Sequence, residues 1–420
     1  MGQRRIVITF ALLTGLLASG YGVMFTVLDD YRTRYGLDGG QLGLIVAVGF
    51  FTSFAAQVLL APMADRGHAR RLAVLGLALH VVGLVGMAFG TTLAGLLAAR
   101  LVMGLGAGMA TPAARRIVIL ADPEHLGTNL GRLLAWDVGG FAAGPAISAV
   151  LTPALGLAAP FLAIAAFTLV CVPVVARTHV DETVAPPLER FAFDLLRDRV
   201  FSGAVVQGIT VFLMIGTFDA LWVLVLSDLR AADWIANIGI TLFALPLVVL
   251  GPAGGRLAQR VGPFRTGTVG LLLGAVFMFL YGQMPSGATM LAVGILHSFS
   301  DGFTVSSTGV AVGMVAPPAR QAGAQGILGG MQTLTGGIAA IAAGELYQSS
   351  GRTVAYTLTA VAMAVLAVGG AWMARSMWHA RPAASAPQSM SGAVDSVDAV
   401  DAVEAVDSVD ATRSWVGEPG

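Results

Sequence analysis

The 420-residue sequence predicts an all-α integral membrane protein, with about twelve transmembrane helices in two pseudo-symmetric six-helix halves. Composition, a succession of long apolar runs and an internal repeat carry that prediction. Hydrophobic residues make up 56% of the chain and charged residues 11%, against about 25% charged in a soluble domain. In water this apolar content would leave large exposed patches, which excludes a soluble enzyme. A bilayer accommodates it but demands that backbone polar groups be paired within helices or closed barrels. Runs of roughly 17 to 25 apolar residues, enough to cross a core of about 30 Å, select helices.

The first run, Ile6 to about Leu28, follows Arg4 and Arg5. It is too long for a signal-peptide core and has no convincing cleavage site, so it is expected to be the first helix. Eleven further cores follow, at 41–61, 72–90, 93–114, 133–152, 159–176, 202–226, 236–253, 267–283, 288–315, 325–346 and 354–375. Residues 1–176 are therefore expected to form one half and 201–376 the other, joined by a linker at 177–200 that carries Pro186, Pro187 and mixed charge. Within it, Phe191–Arg199 suits either a short interfacial helix or a plain solvated segment. The 54 glycines fit helices that approach one another through small side chains.

Residues 377–420 change character, with a triplet of Val, acid and Ala or Ser running from Val394 to Ala411. A period of three drifts around a helix of 3.6 residues per turn, so the valines build no apolar stripe. The tail is read as disordered, with docking to a cytoplasmic partner as the alternative. All 24 basic residues are arginine. With the N-terminus inside, nineteen of them fall on the cytoplasmic side, whereas Arg32, Arg34, Arg230 and Arg352 fall outside. Both termini are thus expected in the cytoplasm, with the chain in the inner (plasma) membrane.

Chemistry-bearing residues are sparse. The loop after the second helix reads Ala61-Pro-Met-Ala-Asp65-Arg66-Gly-His-Ala-Arg70-Arg71, and 194 residues on, the loop after the eighth reads Gly255-Arg-Leu-Ala-Gln259-Arg260-Val-Gly. An aspartate at a helix terminus can accept charge-assisted bonds from arginine or from the free amides of a facing helix, and such contacts can break in a rocking motion. Since Gln259 replaces the acid, only the first copy is expected to form a charged latch. The fourth helix contains Arg100-Leu-Val-Met-Gly-Leu-Gly-Ala-Gly, and the fifth contains Gly131, Gly140, Gly144-Pro145 and then Ser148-Ala149. Gly336 in the eleventh helix lies 196 residues after Gly140.

These segments resemble the major facilitator superfamily. The loops are similar to its G-x-L-A-D-R-x-G-R-R signature, departing at Ala61, His68 and Ala69. The fourth helix resembles R-x-x-Q-G-x-G-A, with Met103 for glutamine. The fifth resembles the antiporter motif G-x8-G-x3-G-P-x2-G-G, with Ser-Ala at its end. The resemblance covers about residues 1–376. It implies a transporter without enzymatic activity, cavity-lining first, fourth, seventh and tenth helices, and a latch made by Asp65, Arg66, Arg70, Arg71, Gly255 and Arg260. It further implies proton-coupled export of a small amphipathic molecule such as a drug or toxic metabolite.

Intramembrane charge is costly and marks functional candidates. Those candidates are Arg100, Asp137, Asp219, His297 and Asp301, with Gln207 and Glu345 beside them. His297 and Asp301 are four apart and share a helix face, and His297 lies 197 residues after Arg100. Asp219 and Asp301 are the preferred proton carriers, with an inter-helix polar clamp as the alternative for each. Asp137, read as near the cytoplasmic end, is expected to pair with Arg132 or Arg100, in a coupling or a structural role. His80 is expected to be a hydrogen-bonded packing residue. Tyr21, Phe25, Trp136, Phe212, Trp222 and Phe303 offer aromatic surface to an apolar substrate, to lipid or to the core.

No ATP-binding loop, metal cluster or nucleophile arrangement is found, and Cys171 is alone in an apolar run. The expected partners are a small-molecule substrate, protons and the lipid bilayer, without cofactor, metal or nucleic acid, and the protein is expected to act as a monomer. Uptake by a symporter or uniporter is the alternative within the same fold. A non-transporting sensor or scaffold is the alternative outside it.

Overall fold

The computed structural model describes residues 2–178, 187 and 189–378; the expected acidic-repeat tail lies outside them. The described chain is helical from end to end. It runs α1 (Gln3–Thr26), α2 (Leu28–Tyr35), α3 (Gly39–Leu59), α4 (Ala69–Phe89), α5 (Leu93–Ala121), α6 (Leu126–Leu155) and α7 (Ala159–Arg177). It continues through α8 (Arg199–Asp228), α9 (Asp233–Val261), α10 (Pro263–Tyr281), α11 (Gly287–Thr304), α12 (Ser307–Val315) and α13 (Gln321–Met373). Ten of its helical segments are long and apolar enough to cross a membrane. One of them, Pro318–Met373, holds two crossings, because Gly351 adopts φ 79°, ψ 169° and turns the chain back. Such a backbone favours glycine strongly. The α11–α12 pair is a further crossing interrupted at 305–306, which brings the total among the described residues to twelve.

Helix starts follow the polar residues that interrupt the apolar runs. Asp38 and Gln41 form a reciprocal capping box at α3, with Gln41 N donating to Asp38 Oδ1 at 2.8 Å and Asp38 N to Gln41 Oε1 at 3.0 Å. Thr92, Asp198 and Ser286 accept similarly at the starts of α5, α8 and α11. Each supplies a partner for amides that the helix itself leaves unpaired. Along the crossings, large apolar side chains such as Val150 (71% exposed), Phe167 (68%) and Ile341 (75%) point outward, a surface suited to lipid.

Small residues set the closest approaches. Gly140 and Gly144 of α6 lie against Gly15 and Gly22 of α1, where any side chain would overlap backbone. Gly336 in α13 faces Phe212 and Gly216 of α8 in the corresponding way. Between α1–α7 and α8–α13, the seam is tight only at the Asp65 end. There Gly131 abuts Gly251 and Gly127 abuts Gly255, while Gly326 and Gly330 of α13 rest on Gln57 and Val58 of α3. Toward the opposite end, Gly43, Gly337 and Gly344 meet nothing within 4 Å. The two groups of helices are therefore closed together at one end and parted at the other.

The expected interfacial segment is a 3-10 turn, Phe193–Arg197. Arg320 grips it, donating through Nη1 and Nη2 to the Asp194 carboxylate at 2.5 and 2.6 Å and through Nη2 to Phe191 O at 2.7 Å. Arg320's hydrogen bonds hold the Asp194 carboxyl below its ordinary range. Stability from this pair is therefore present at neutral pH and is lost as pH falls through that lowered value. Because the pair is partly exposed, it is worth about 1 kcal/mol at most. Asp194→Asn should accelerate tryptic cleavage after exposed Arg190 by up to about fivefold, by mass action on the released turn; an unchanged rate would mean that the turn is held by other contacts.

Candidate transport site and gate

Asp65 sits in the turn Ala61–Arg66 that follows α3, only 2% exposed. Its Oδ1 accepts from Arg116 Nε and from Ala322 N, both at 2.9 Å, and its Oδ2 accepts from Gly323 N at 2.7 Å. Ala322 and Gly323 occupy the first turn of α13, whose unpaired amides and dipole favour an anion. The aspartate thus ties α3 to α5 and, across the seam, to α13. Its arginine partner is Arg116, which the sequence presents only as a positive-inside charge. Half-buried Arg66 ends the turn, and exposed Arg70 and Arg71 open α4.

The second loop makes the corresponding contact without charge. Gln259 Oε1 accepts from Gly127 N at 2.7 Å and its Nε2 donates to Glu124 O at 2.9 Å, at the start of α6. Neighbouring Gly255 packs on Gly127, and Arg260 is exposed. Gly131, Gly140, Gly144 and Pro145 all lie in α6, with Gly131 on the α9 side and the other two glycines on α1.

Arg100 is fully buried in α5. Its Nε donates to Ile45 O at 3.2 Å, and its guanidinium carbon lies 4.7 Å from the centre of the Tyr21 ring. Gly49 leaves the space the guanidinium occupies, since a Cβ there would collide with it. His80, also fully buried, stacks beside Tyr21 with ring centres 6.5 Å apart. A cation–π contact is worth about 2 kcal/mol when desolvated. Arg100→Ala should therefore lower the transport rate far more than Arg352→Ala, both measured at matched membrane insertion. Equal rates would remove Arg100 from the working site.

The other group of helices holds a counterpart. Phe218, Phe277 and His297 each stand 197 residues after Tyr21, His80 and Arg100. They too come together: Phe277 stacks on His297 with ring centres 4.9 Å apart, and Phe243 meets the same imidazole edge-on at 5.7 Å. His297 Nδ1 is 3.0 Å from the Tyr281 hydroxyl and its Nε2 is 3.5 Å from Asp301 Oδ2. With the proton on Nε2, the imidazole faces the carboxylate and accepts from the tyrosine. Tyr281, which the sequence did not single out, completes a buried chain of three ionisable groups. Of the three settings open to Trp222, substrate, lipid or core, it takes the core, fully buried against Phe218.

Asp137 and Asp219 differ from the buried groups. Both are reached by solvent although protein surrounds them, the position of residues lining an inlet. Asp219 makes no hydrogen bond or ion pair among the described residues. Asp137 lies eleven residues past the start of α6, about 17 Å along it, so it is mid-helix and not near the end. Its expected partners are engaged elsewhere: Arg132 Nη1 donates to Asn129 Oδ1 at 2.9 Å and Arg100 to Ile45. The charge that acts on Asp137 is Arg115. Tyr21, Phe25, Phe50 and Phe141 form a run of neighbouring rings, with Phe25 meeting Phe141 edge-on at 6.0 Å. Gln207 is a buried clamp, donating to Phe264 O and Thr268 Oγ1, and Glu345 is exposed near the Gly351 end of its limb of α13.

Twelve apolar crossings among the described residues, a seam closed at one end and a few ionisable side chains inside are the architecture of a polytopic membrane transporter. The chain belongs to the major facilitator superfamily, whose profile matches residues 10–229 and 200–399. It is 31% identical over 138 residues to the quinolone resistance protein NorA of Staphylococcus aureus (strain MRSA252), a match spanning 31% of this chain and 34% of that protein. The chain thus spans about a third of the length of the curated relatives it matches at that level. It is 24% identical over 297 residues to a multi-drug resistance efflux pump PmrA homolog of Lactococcus lactis, covering 67% of this chain and 72% of that one. In fold it is similar to the human organic anion transporter MFSD10 (TM-score 0.71, 18% identity, 88% of this chain and 100% of that one). It is similar also to FucP in the outward conformation (TM-score 0.69, 16% identity, 87% of this chain and 98% of that one).

Proposed function

We propose that this transporter exports a small amphipathic molecule in exchange for protons, by alternating access between two rocking halves, residues 1–176 and 201–376, joined by the 177–200 linker. The observation that carries the reading is Asp219, a carboxylate inside the inlet with no cationic partner. Such a group is held ready to take either a proton or a cationic portion of a substrate, and the two compete for one site. Behind it, the Asp301–His297–Tyr281 chain offers a second, enclosed proton position. Export as the direction is supported by the Lactococcus lactis relative, a multi-drug resistance efflux pump homolog, and fits the quinolone resistance for which the Staphylococcus aureus relative is named.

In this reading the Asp65 and Gln259 contacts latch the cytoplasmic side while the site faces outward, and both must part for the site to face inward. The arginine distribution supports cytoplasmic termini in an inner membrane. Nothing in the cycle requires a second copy, so the working unit is a monomer.

The test is proton flux in proteoliposomes with a pH-sensitive dye inside, screening amphipathic antibiotics and metabolites. Substrate and proton are expected to move in opposite directions. Movement in the same direction would make the protein an importer, and substrate flux with no linked proton would overturn the coupling.

A further inference from the structure

A groove of about 620 Å³ lies on the outer face of the bundle, between α9, α10 and α11, away from the inlet. Its wall on α10 is a single helical stripe, Arg265, Val269, Leu273 and Phe277, at four-residue intervals. Phe299 and Phe303 of α11 face it, with Leu257 and Val261 of α9 at its mouth. Twelve residues separate Arg265 from Phe277, about 18 Å along the helix, comparable with the roughly 15 Å of hydrocarbon in one leaflet.

The charge at the mouth has one sign. Arg265 is exposed at the first turn of α10, Arg256 and Arg260 are exposed on the adjoining end of α9, and no acidic side chain lines the groove. Among the described residues Arg265 has no ion pair. An apolar channel one leaflet deep, with unpaired guanidinium at the aqueous end, matches a lipid with a negative headgroup and a long chain. We propose that it binds one anionic phospholipid, the headgroup phosphate paired with Arg265 and an acyl chain lying along Val269, Leu273 and Phe277.

The site touches the transport machinery from behind. Phe277 forms groove wall with one part of its ring system and stacks on His297 with its face. Leu296 and Ser300, on the groove side of α11, alternate with His297 and Asp301 on its buried side. The lipid therefore braces the helix that carries these two residues.

The experiment is lipid retention measured by native mass spectrometry, which requires no transport. The purified chain would be exposed to equal amounts of phosphatidylglycerol and phosphatidylcholine with identical acyl chains. Wild type should keep one phosphatidylglycerol in preference. Arg265→Gln should lower that preference about fivefold, the worth of one arginine at an anionic membrane surface. Val269→Trp, which fills the channel and leaves the charge, should lower retention of the bound lipid with circular dichroism unchanged. Equal retention of the two lipids by wild type, or wild-type retention in both variants, would overturn the proposal. Displacement of the lipid by an amphipathic cation at one-to-one stoichiometry would also overturn it, marking the groove as a substrate route instead.

Discussion

Asp65→Asn is expected to open the Asp65 end of the seam and lower net transport by tenfold or more. The aspartate is buried, and three donors converge on it: one guanidinium of α5 and two amides of α13. Asparagine keeps the shape but removes the charge, leaving the fully buried Arg116 without its anion. Removing one partner of a buried pair costs about 3–5 kcal/mol. At about 1.4 kcal/mol per factor of ten, the balance between the two conformations shifts by roughly two to three and a half orders of magnitude. Spin labels at Met63 and Leu257, both exposed on opposite sides of the closed end, would read the change as a longer separation. An unchanged distance distribution would mean that glycine packing along α6–α9 and α3–α13 holds the end shut unaided. Gln259→Ala should act in the same direction and more weakly, because neutral hydrogen bonds are worth about half as much as charge-assisted ones.

Asp301→Asn should abolish substrate accumulation driven by a proton gradient while leaving substrate exchange across the membrane in place. Asp301 is 3% exposed and its only ion-pairing neighbour among the described residues is His297, one helical turn away. Asparagine fits the same space and retains hydrogen-bonding capacity, but cannot load and release a proton. A difference of tenfold or more between driven and exchange transport would separate lost coupling from a damaged fold. Asp219→Asn should affect both modes, since that residue faces the inlet proposed above to take the substrate. If Asp301→Asn remains fully coupled, the proton position must be assigned to Asp219 or Asp137.

The extent to which the site was legible follows from how each contact is encoded. Asp65 was visible because a loop motif repeats at a fixed interval, and the free amides it needs belong to any helix start. Arg116 was not, because one of several arginines at a helix end becomes its partner only when α3 and α5 are packed together. Repetition at 197 residues paired His297 with Arg100, yet it could not show that Phe218 and Phe277 gather around the histidine as Tyr21 and His80 gather around the arginine. Tyr281 was hidden for a simpler reason: a tyrosine at the end of an apolar run is ordinary at a membrane boundary. Asp137 was misplaced because α6 begins seven residues before the hydrophobic core at 133, on polar residues that still belong to the helix.

Sequence alone determined the solvent, the number of crossings and the repeat, because a bilayer imposes its thickness and its intolerance of unpaired backbone on every segment separately. Those are local demands, readable one run at a time. Tertiary structure decided which end of the seam is closed, which arginine meets Asp65, which carboxylates face the inlet and which groove is left open to lipid. Each depends on side chains from helices far apart in the chain, and on apolar packing that is almost direction-free until glycine contacts and a few buried polar bonds select one arrangement.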